Sequence, residues 1–304
     1  MWRKLGKVYE IPNGGLHHTL QTHAANPLAV WLEGDVYRIF YSGRDAKNRS
    51  SVGAVDFDIL KLEILFEHKE PFFTYGPEGS FYCDGVSIGN CYSVENKKLI
   101  LFMGWQNPLG EHWRGDIGQL LLDDNAKLQI IDTKPLLSTD EIDQISLSYP
   151  WVHFNYQGVY EMWYGSTKTW DAGNQEMLHV LNYANSLDGY HWEKYGLSVP
   201  YEIGVAQAFS RPTVAITKAG GLEMWFSYRA GGGDKYKIGY AQCNHLDAWE
   251  LKLGHAGISC SEHGWDSEMI CYPYVFDHCD RRYMLYNGNG YGKTGFGLAV
   301  WDDK

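Results

Sequence analysis

Residues 211–243 read RPTVAITKAGGLEMWFSYRAGGGDKYKIGYAQC. This stretch contains an apolar run, an aromatic-rich run and a run rich in small residues, separated by two glycine-containing segments. Aromatic and β-branched side chains favour strands, and glycine supplies the positive φ angles that tight hairpin turns require. No helical period of apolar residues is present. The stretch therefore predicts three antiparallel strands connected by hairpins.

The same pattern occurs five times along the chain. The copies begin at Asn26, Asp84, Tyr149, Arg211 and Tyr272. Their starts are about 60 residues apart, which is near the period of a four-stranded propeller blade. We therefore predict an all-β fold with a single domain over residues 1–304, a five-bladed β-propeller.

The two ends of the chain complement each other in this prediction. The fifth copy ends after its third strand, GFGLAVW at 295–301, so its fourth strand must come from elsewhere. The segment WRKLGKVYEI at 2–11 has a suitable length and pattern. We expect it to pair with the last blade and close the ring, because this pairing removes an exposed sheet edge.

Composition excludes several classes of protein. A formal net charge of -11 argues against a nucleic-acid partner, which requires clustered Lys and Arg. No apolar run reaches the length of a membrane span, and the N-terminus lacks the apolar core of a signal peptide, so we expect a cytoplasmic protein. The 6 cysteines and 12 histidines show no metal-ligand spacing, so we expect neither a metal nor a cofactor. The sequence does not specify an oligomeric state.

The candidate binding site follows from the predicted architecture. In a propeller the first strand of each blade lines the central channel, so residues at the starts of the repeats converge at one end of the axis. Aromatic rings, carboxylates, amides and guanidinium groups together suit a hydroxyl-rich sugar ring. The candidates from the strand starts are His23, Asn26, Asp84, Tyr149, Arg211, Asp266 and Glu268, and those from the following turns are Arg44, Trp105, Arg229, Asn287, Asn289 and Tyr291.

Structural roles compete with functional ones at several of these positions. For Asp266, a structural role as the cap of a turn explains the residue as well as a functional role does. Glu268 precedes an apolar run, where a carboxylate needs a partner, so a functional role is favoured. Arg211 could be a counter-ion for one of the carboxylates or could bind an acidic group of a substrate. Trp163 and Trp225 lie in aromatic strands and are expected to pack between blades.

The repeat starts HAANPLAVW, CDGVSIGNC, SYPWV, SRPTV and EMICYPYV, with the strands YRIFYSGRD, YEMWYGS and YMLYNGNG, resemble those of a known group of proteins. These are the five-bladed proteins related to glycoside hydrolase families 32, 43, 62, 68 and 130. More narrowly, the chain resembles glycosidase-like propellers encoded with bacterial surface-polysaccharide pathways. The resemblance covers nearly the whole chain. It implies a funnel-shaped site with one carboxylic acid as proton donor and a second carboxylate as base or nucleophile.

The chain departs from the family pattern at three carboxylate positions. Asn26 stands where families 32 and 43 have an aspartate, Ser148 and Tyr149 replace the third-blade aspartate, and Ser210 with Arg211 replaces the fourth-blade glutamate. The remaining inward carboxylates are Asp84 and Glu268, which we expect to act as an acid and base pair.

Three functions remain open. The first is a glycosidase that uses Asp84 and Glu268. The second is a phosphate-dependent phosphorylase with one acid and an anion site formed by His23, Arg44, Arg211 and Arg229. The third is a non-catalytic sugar-binding protein of a polysaccharide pathway. In each case the expected partner is a carbohydrate or sugar conjugate.

Overall fold

The computed structural model describes residues 1–123, 126–243 and 248–302. Its architecture is all-β: two short turns, Leu253–His255 (3-10) and α1 (Asn289–Gly292), are the helical elements of the described part. The strands are β1 (Trp2–Tyr9), β2 (Thr22–Glu33), β3 (Val36–Arg44), β4 (Ser50–Asp58), β5 (Glu63–Glu67), β6 (Gly85–Val94), β7 (Lys97–Gln106), β8 (Arg114–Leu122), β9 (Leu128–Ile130), β10 (Ser146–Phe154), β11 (Tyr160–Thr169), β12 (Leu178–Ser186), β13 (Glu193–Leu197), β14 (Ser210–Ile216), β15 (Leu222–Tyr228), β16 (Lys237–Cys243), β17 (Trp249–Leu251), β18 (Cys271–His278), β19 (Arg281–Asn287) and β20 (Phe296–Trp301).

The strands form antiparallel groups of four that follow the sequence repeats. Strands β10 to β13 form one sheet and β14 to β17 form another. Strands β2 to β5 and β6 to β9 form two further meanders, joined into one eight-stranded sheet by a single parallel pair, Ser50 with Gly85. The last sheet has the order β1-β20-β19-β18. The N-terminal segment therefore pairs with the C-terminal sheet, as expected, with Trp2 opposite Trp301 and Tyr9 opposite Phe296.

The first strands of the five groups lie side by side. Strand β2 contacts β6, β6 contacts β10, β10 contacts β14, β14 contacts β18, and β18 contacts β2. Each sheet is open, but this sequence of contacts returns to its starting strand. The inner strands therefore surround a common centre.

Every inner strand carries a β-bulge at the same level. In each group, the pairing between the first and second strands shifts register once at this level. The shift lies between Ala25 and Leu28 in the first group, between Ile88 and Cys91 in the second, and at the corresponding place in the other three. In four of the five bulges, the residue before a proline has a positive φ, which L-residues rarely adopt and which the surrounding structure must enforce. These residues are Asn26 (φ 54), Tyr149 (φ 39), Arg211 (φ 48) and Tyr272 (φ 54). A bulge redirects side chains out of the strand's normal alternation, so the repeated bulge sets what faces the centre.

Side chains of the preceding sheet satisfy backbone groups that lie in or beside the bulges. Asn287 Oδ1 accepts the backbone N–H of Asn26 at 2.8 Å. Ser227 Oγ accepts the backbone N–H of Tyr272 at 2.6 Å. Asn90 of β6 forms two hydrogen bonds with the backbone of Val152 in β10. Its side-chain amide donates to the Val152 carbonyl at 3.0 Å and accepts the Val152 N–H at 3.1 Å. Because buried backbone groups need partners, these contacts connect neighbouring sheets.

Large aromatic side chains fill the space between sheets. Trp225 is 1% exposed and its ring contacts Trp2 at a centroid distance of 5.5 Å. Trp163 is also buried, and its ring lies 5.7 Å from that of Trp249. Both tryptophans therefore have the packing role expected from the sequence. In the described residues, no helix has the length and apolar character needed to cross a membrane.

Candidate functional site

A cavity of about 450 Å³ opens where the inner strands begin. Its wall is built from the ends of inner strands, the ends of second strands and the loops beside them. The lining residues are Arg44, Asn48, Ser87, Met103, Trp105, Asn107, Trp113, Ser148, Tyr149, Met177, His179, Phe209, Ser210, Arg229, Tyr236, Tyr272 and Tyr291. Among the described residues, the wall contains two arginines and six tyrosine or tryptophan rings but no aspartate or glutamate.

Arg229 is held in a fixed orientation by three groups. Its guanidinium forms an ion pair with Glu176, with Nε 2.8 Å from Oε2 and Nη2 donating to Oε1 at 2.9 Å. Its Nη1 donates to the hydroxyl of Tyr291 at 3.2 Å, and its guanidinium carbon lies 4.9 Å from the ring centre of Tyr236. The hydrogen bonds from Nη2 to Glu176 and from Nη1 to Tyr291 together restrict the orientation of the guanidinium. Arg229 therefore presents a pre-oriented, largely neutralised donor to the cavity.

Arg44 differs from Arg229 because it has no acidic partner. Within the part of the chain that the structure describes, its side chain forms no ion pair and no hydrogen bond. It is half-buried at the end of β3, and it lies close enough to His23 to interact with it electrostatically, as Lys293 also does. Burial, with the nearby charges of Arg44 and Lys293, lowers the pKa of His23 to about 4. Among the described residues, Arg44 is therefore a cation of the cavity wall that no carboxylate pairs with.

A buried histidine joins two hydroxyl groups beneath the wall. His179 Nε2 lies 2.6 Å from Ser148 Oγ, and its Nδ1 lies 2.7 Å from Thr167 Oγ1. Burial lowers the pKa of His179 to about 3, because the charged imidazolium would lose its hydration. The histidine is therefore neutral, and it accepts from one hydroxyl while donating to the other.

Aromatic rings form the remaining surface. Tyr149 and Tyr272, both from bulges, lie with their ring centres 5.4 Å apart and their hydroxyls 3.5 Å apart. Tyr236 contacts Tyr272 at a centroid distance of 6.4 Å. On another side, Trp105 is fixed by donation from its Nε1 to Ser50 Oγ at 3.0 Å. The cavity thus offers ring faces and hydroxyl groups together, as sugar binding requires.

Five of the residues expected at the site line this cavity. They are Arg44, Trp105, Tyr149, Arg229 and Tyr291. The two expected catalytic carboxylates are not among the lining residues. Asp84 lies just before β6, where its Oδ2 accepts the backbone N–H of Asn107 at 2.7 Å, so it is adjacent to the rim. Glu268 is exposed, on a loop before β18.

Arg211, Asn26 and Asn287 hold the sheets together instead of facing the cavity. Arg211 is 3% exposed and donates to the carbonyls of Ile88 and Pro27, both at 2.6 Å. Asn287 donates to the Ala24 carbonyl at 2.7 Å in addition to accepting from Asn26. The side chains of Arg211 and Asn287 thus satisfy backbone groups at the centre of the fold, so a sugar-binding role is not needed to explain them. Asn26 takes part through its backbone N–H, and its buried Oδ1 has no hydrogen-bond partner among the described residues.

Asp266 and Asn289 also have intramolecular partners. The carboxylate of Asp266 is buried, forms a 2.6 Å ion pair with Lys4 and accepts the Tyr286 hydroxyl at 3.0 Å. It therefore anchors the N-terminal strand. Asn289 Oδ1 accepts the backbone N–H groups of Glu268 and Met269, at 2.8 and 3.1 Å, which organises the loop.

Sequence reasoning missed several residues of the site. Those not anticipated as ligands of a sugar include Asn48, Asn107, Trp113, Met177, His179, Phe209 and Tyr236, together with Glu176 behind Arg229. Tyr236 and Glu176 follow glycine-containing turns at the same end of their repeats as Arg44, and that position is the signal by which they could have been found. His179 gives no such signal, because it lies inside β12.

Several solved structures described as glycosidases have a similar fold. The chain aligns with a structure described as a glycoside hydrolase at a TM-score of 0.73 and 13% identity, covering 98% of this chain and 91% of that one. It aligns with an endo-arabinase from Bacteroides thetaiotaomicron at a TM-score of 0.68 and 12% identity, covering 95% and 98%. A family 32 β-fructofuranosidase of Bombyx mori aligns at 0.65 and 12%, covering 93% and 62%. At these identities the likeness shows the fold, which resembles that of β-propeller glycosidases.

Sequence comparison gives a nearer relationship. No family model matches the chain. Two Mycobacterium tuberculosis proteins, MT1551 of strain CDC 1551 and Rv1502 of strain H37Rv, are each 41% identical over 304 residues, which is 99% of this chain and 99% of each relative. Identity at this level over the full length shows common descent, and the chain therefore belongs to the same family as these two mycobacterial proteins.

Proposed function

We propose that this chain is a five-bladed β-propeller whose central cavity binds a carbohydrate that carries an acidic group. The blade count is supported by the five four-stranded groups and by the cycle of contacts among the five inner strands. The pairing of β1 with β20 supports closure of the ring by the N-terminal strand. The whole of 1–304 would then be one domain.

The observation that carries the proposal is the state of Arg44. A half-buried guanidinium that lines a cavity without a carboxylate partner is suited to accept an anion from outside. The charges of Arg44 and Lys293, together with burial, lower the pKa of His23 to about 4, so His23 is neutral here and Arg44 and Lys293 are the cations of this region. Across the cavity, Arg229 offers further N–H donors, already oriented by Glu176. A sugar phosphate or a uronic acid fits these donors better than a neutral sugar does.

The aromatic wall supports a sugar as the remainder of the ligand. The C–H faces of pyranose rings stack on aromatic side chains, and the partly exposed rings of Trp105 and Trp113 line the cavity. Ser148, Ser210 and the tyrosine hydroxyls provide donors and acceptors for sugar hydroxyls. From the sequence resemblance, we propose an intermediate of bacterial surface-polysaccharide metabolism as the ligand, in the cytoplasm.

Two-carboxylate hydrolysis has little support from this geometry. Glu268 is exposed and neither Asp84 nor Glu268 lines the cavity, whereas the mechanism needs both carboxyl groups on either side of one glycosidic bond.

The second candidate function is phosphate-dependent cleavage of a glycosidic bond, with Asp84 as the single catalytic acid. Its carboxylate accepts the backbone N–H of Asn107, a cavity residue, so it lies at the rim. In a phosphate-dependent reaction, phosphate held by Arg44 would attack the anomeric carbon. The bond from phosphate oxygen to carbon forms, the glycosidic bond breaks, and the Asp84 carboxyl transfers its proton to the leaving oxygen.

Calorimetric titration with glucuronic acid, glucose 6-phosphate and glucose tests the binding proposal. We expect the two acidic sugars to bind more tightly than glucose. Arg44→Gln should weaken acidic-sugar binding by about ten- to a hundredfold, since a hydrogen bond to a charged group contributes about 1.5–3 kcal/mol. The matched control is Arg49→Gln on the same β3–β4 connection, whose guanidinium is already paired with Asp45 at 2.9 Å. Equal binding of acidic and neutral sugars, or equal effects of the two variants, would contradict the proposal.

The catalytic candidate has a separate test. Wild-type protein incubated with oligosaccharides should release sugar 1-phosphate only when inorganic phosphate is present, and Asp84→Asn should abolish this release while acidic-sugar binding persists. Release of free sugar without phosphate would instead favour hydrolysis. No release from any substrate together with tight acidic-sugar binding would identify a binding protein.

A further inference from the structure

We infer that Asp35, His278 and Cys279 form a binding site for a zinc ion, on the hairpin turns of the first and last sheets and apart from the cavity. The three side chains offer a carboxylate oxygen, an imidazole nitrogen and a thiol sulfur. These ligand atoms all lie within 4.8 Å of one another. This proposal revises the sequence-based expectation of no metal.

The distances agree with coordination of one small cation. His278 Nε2 is 2.9 Å from Asp35 Oδ1 and 3.5 Å from Cys279 Sγ. Tetrahedral zinc, with bonds of about 2.0 Å to nitrogen or oxygen and about 2.3 Å to sulfur, separates such ligand atoms by about 3.3–3.5 Å. The two distances from His278 are within a few tenths of an ångström of these values, and the oxygen of Asp35 and the sulfur of Cys279 lie within 4.8 Å of each other. Water would complete the coordination, because Cys279 is exposed to solvent.

The ligand types favour zinc over the common hard cations. Magnesium and calcium select oxygen ligands, whereas a thiolate and an imidazole suit zinc and its transition-metal neighbours. Zinc binding would release the thiol proton of Cys279, since the thiolate is the ligand.

A partner outside the cluster orients the histidine. Tyr37 Oη lies 3.1 Å from His278 Nδ1. When Nδ1 carries the imidazole proton and donates it to Tyr37, Nε2 has a free lone pair directed at Asp35 and Cys279. Such a hydrogen bond to the second nitrogen is the usual support of a metal-bound histidine.

The turn that carries the cysteine adds an independent observation. Cys279 and Asp280 connect β18 to β19 with φ values of 45° and 60°. A two-residue hairpin turn with both φ positive is normally formed by Asn-Gly or Gly-Gly, because other residues are strained there. Cysteine has no conformational advantage at this position. The presence of Cys279 beside His278 is explained if its sulfur coordinates a metal ion.

Sequence spacing could not reveal such a site. Asp35 and His278 are 243 residues apart and meet only because the first and last sheets are neighbours. A metal there would join these two sheets at the turns of β2–β3 and β18–β19.

Zinc titration of metal-free full-length protein, kept reduced with a phosphine, tests the inference. We expect one zinc per chain, a thermal unfolding midpoint that rises on zinc addition and falls with chelator, and a sulfur-to-metal absorption band when cobalt replaces zinc. Cys279→Ser and Asp35→Asn should each weaken zinc binding at least about tenfold and remove the shift in the midpoint.

Two controls separate coordination from general effects of charge and thiol loss. Asp277→Asn removes a carboxylate of the same hairpin that pairs with Arg282 instead, and Cys83→Ser removes a distant thiol. Both should bind zinc as the wild type does. Failure of wild-type protein to bind stoichiometric zinc would overturn the inference, as would undiminished binding by Cys279→Ser or an equal loss in the controls. His278 and Asp35 would then form only a hydrogen bond with each other. None of these results depends on sugar binding.

Discussion

Replacing Arg211 by methionine should destabilise the fold without altering the cavity wall directly. The guanidinium is buried at the centre, where it donates to Ile88 and Pro27 carbonyls at 2.6 Å and lies 3.5 Å from the Gly89 carbonyl. It thereby connects its own inner strand, β14, with β2 and β6. Among the described residues it has no carboxylate partner. Burial lowers its pKa to about 10, so it remains charged at neutral pH.

The magnitude follows from these contacts. Each hydrogen bond between a charged donor and a carbonyl contributes about 1.5–3 kcal/mol, so the two short ones amount to about 3–6 kcal/mol. Methionine also relieves part of the cost of burying a cation, which offsets some of this loss. We therefore expect Arg211→Met to lower the free energy of unfolding by about 2–4 kcal/mol. The free energy of unfolding of Arg211→Lys should lie between those of the wild type and Arg211→Met, because one ammonium group cannot span both carbonyls.

Urea denaturation followed by tryptophan fluorescence measures this difference. The control is Arg281→Met, an exposed arginine on β19, which should change the free energy of unfolding by less than about 0.5 kcal/mol. If Arg211→Met unfolds at the same urea concentration as the wild type, or at a higher one, then the guanidinium does not connect the inner strands and our reasoning about the centre is wrong.

Three further predictions concern other parts of the structure. His179 has a pKa of about 3 when folded and an ordinary value of 6.5 when unfolded, so stability should fall as pH decreases through this window. Near pH 4.5 the free energy of unfolding should have fallen by about 2–3 kcal/mol from this histidine alone. Unfolding measured over a series of acidic pH values should show this fall in the wild type and in His263→Gln but not in His179→Gln. In Gly165→Ala the new Cβ would lie 2.2 Å from Ser148 Oγ and 2.3 Å from His179 Nε2, whereas at Gly254 nothing lies within 4 Å. Gly165→Ala should therefore cost about 1–3 kcal/mol in thermal unfolding and Gly254→Ala much less; equal effects would argue against close packing at the hydrogen bond. Lys4→Met leaves the carboxylate of Asp266 buried without its cation and should destabilise the protein by about 1–3 kcal/mol. The control is Lys7→Met, which removes a surface ion pair with Glu10. If hydrogen exchange in β1 and β20 of Lys4→Met stays as slow as in the wild type, the anchoring role is contradicted.

Local sequence signals were sufficient for the strands and for the N-terminal pairing. Alternation of aromatic residues with small ones, and glycine at turns, are properties of nearest neighbours along the chain. The missing fourth strand of the last repeat could be inferred because an unpaired edge is unfavourable. The structure has β1 on β20, within the segment predicted.

The second repeat shows where local signals were insufficient. The sequence pattern predicts that this repeat starts at Asp84, but its bulge lies between Ile88 and Cys91, at Gly89 and Asn90. The other four bulges contain a residue followed by proline, and the second contains Gly-Asn, so the repeats were aligned on different features. Asp84 consequently lies before its strand, while Asn26 and Arg211 lie within theirs.

The sequence by itself determined the all-β class and the five repeats of the strand pattern. These depend on interactions between residues close in the chain. The tertiary structure decided what each polar side chain does. Arg211 and Arg44 are alike in sequence terms, yet one donates to buried carbonyls and the other lines the cavity without a partner. That difference depends on which backbone groups the bulges leave unpaired and on which sheets become neighbours, and both are set only when distant segments pack together.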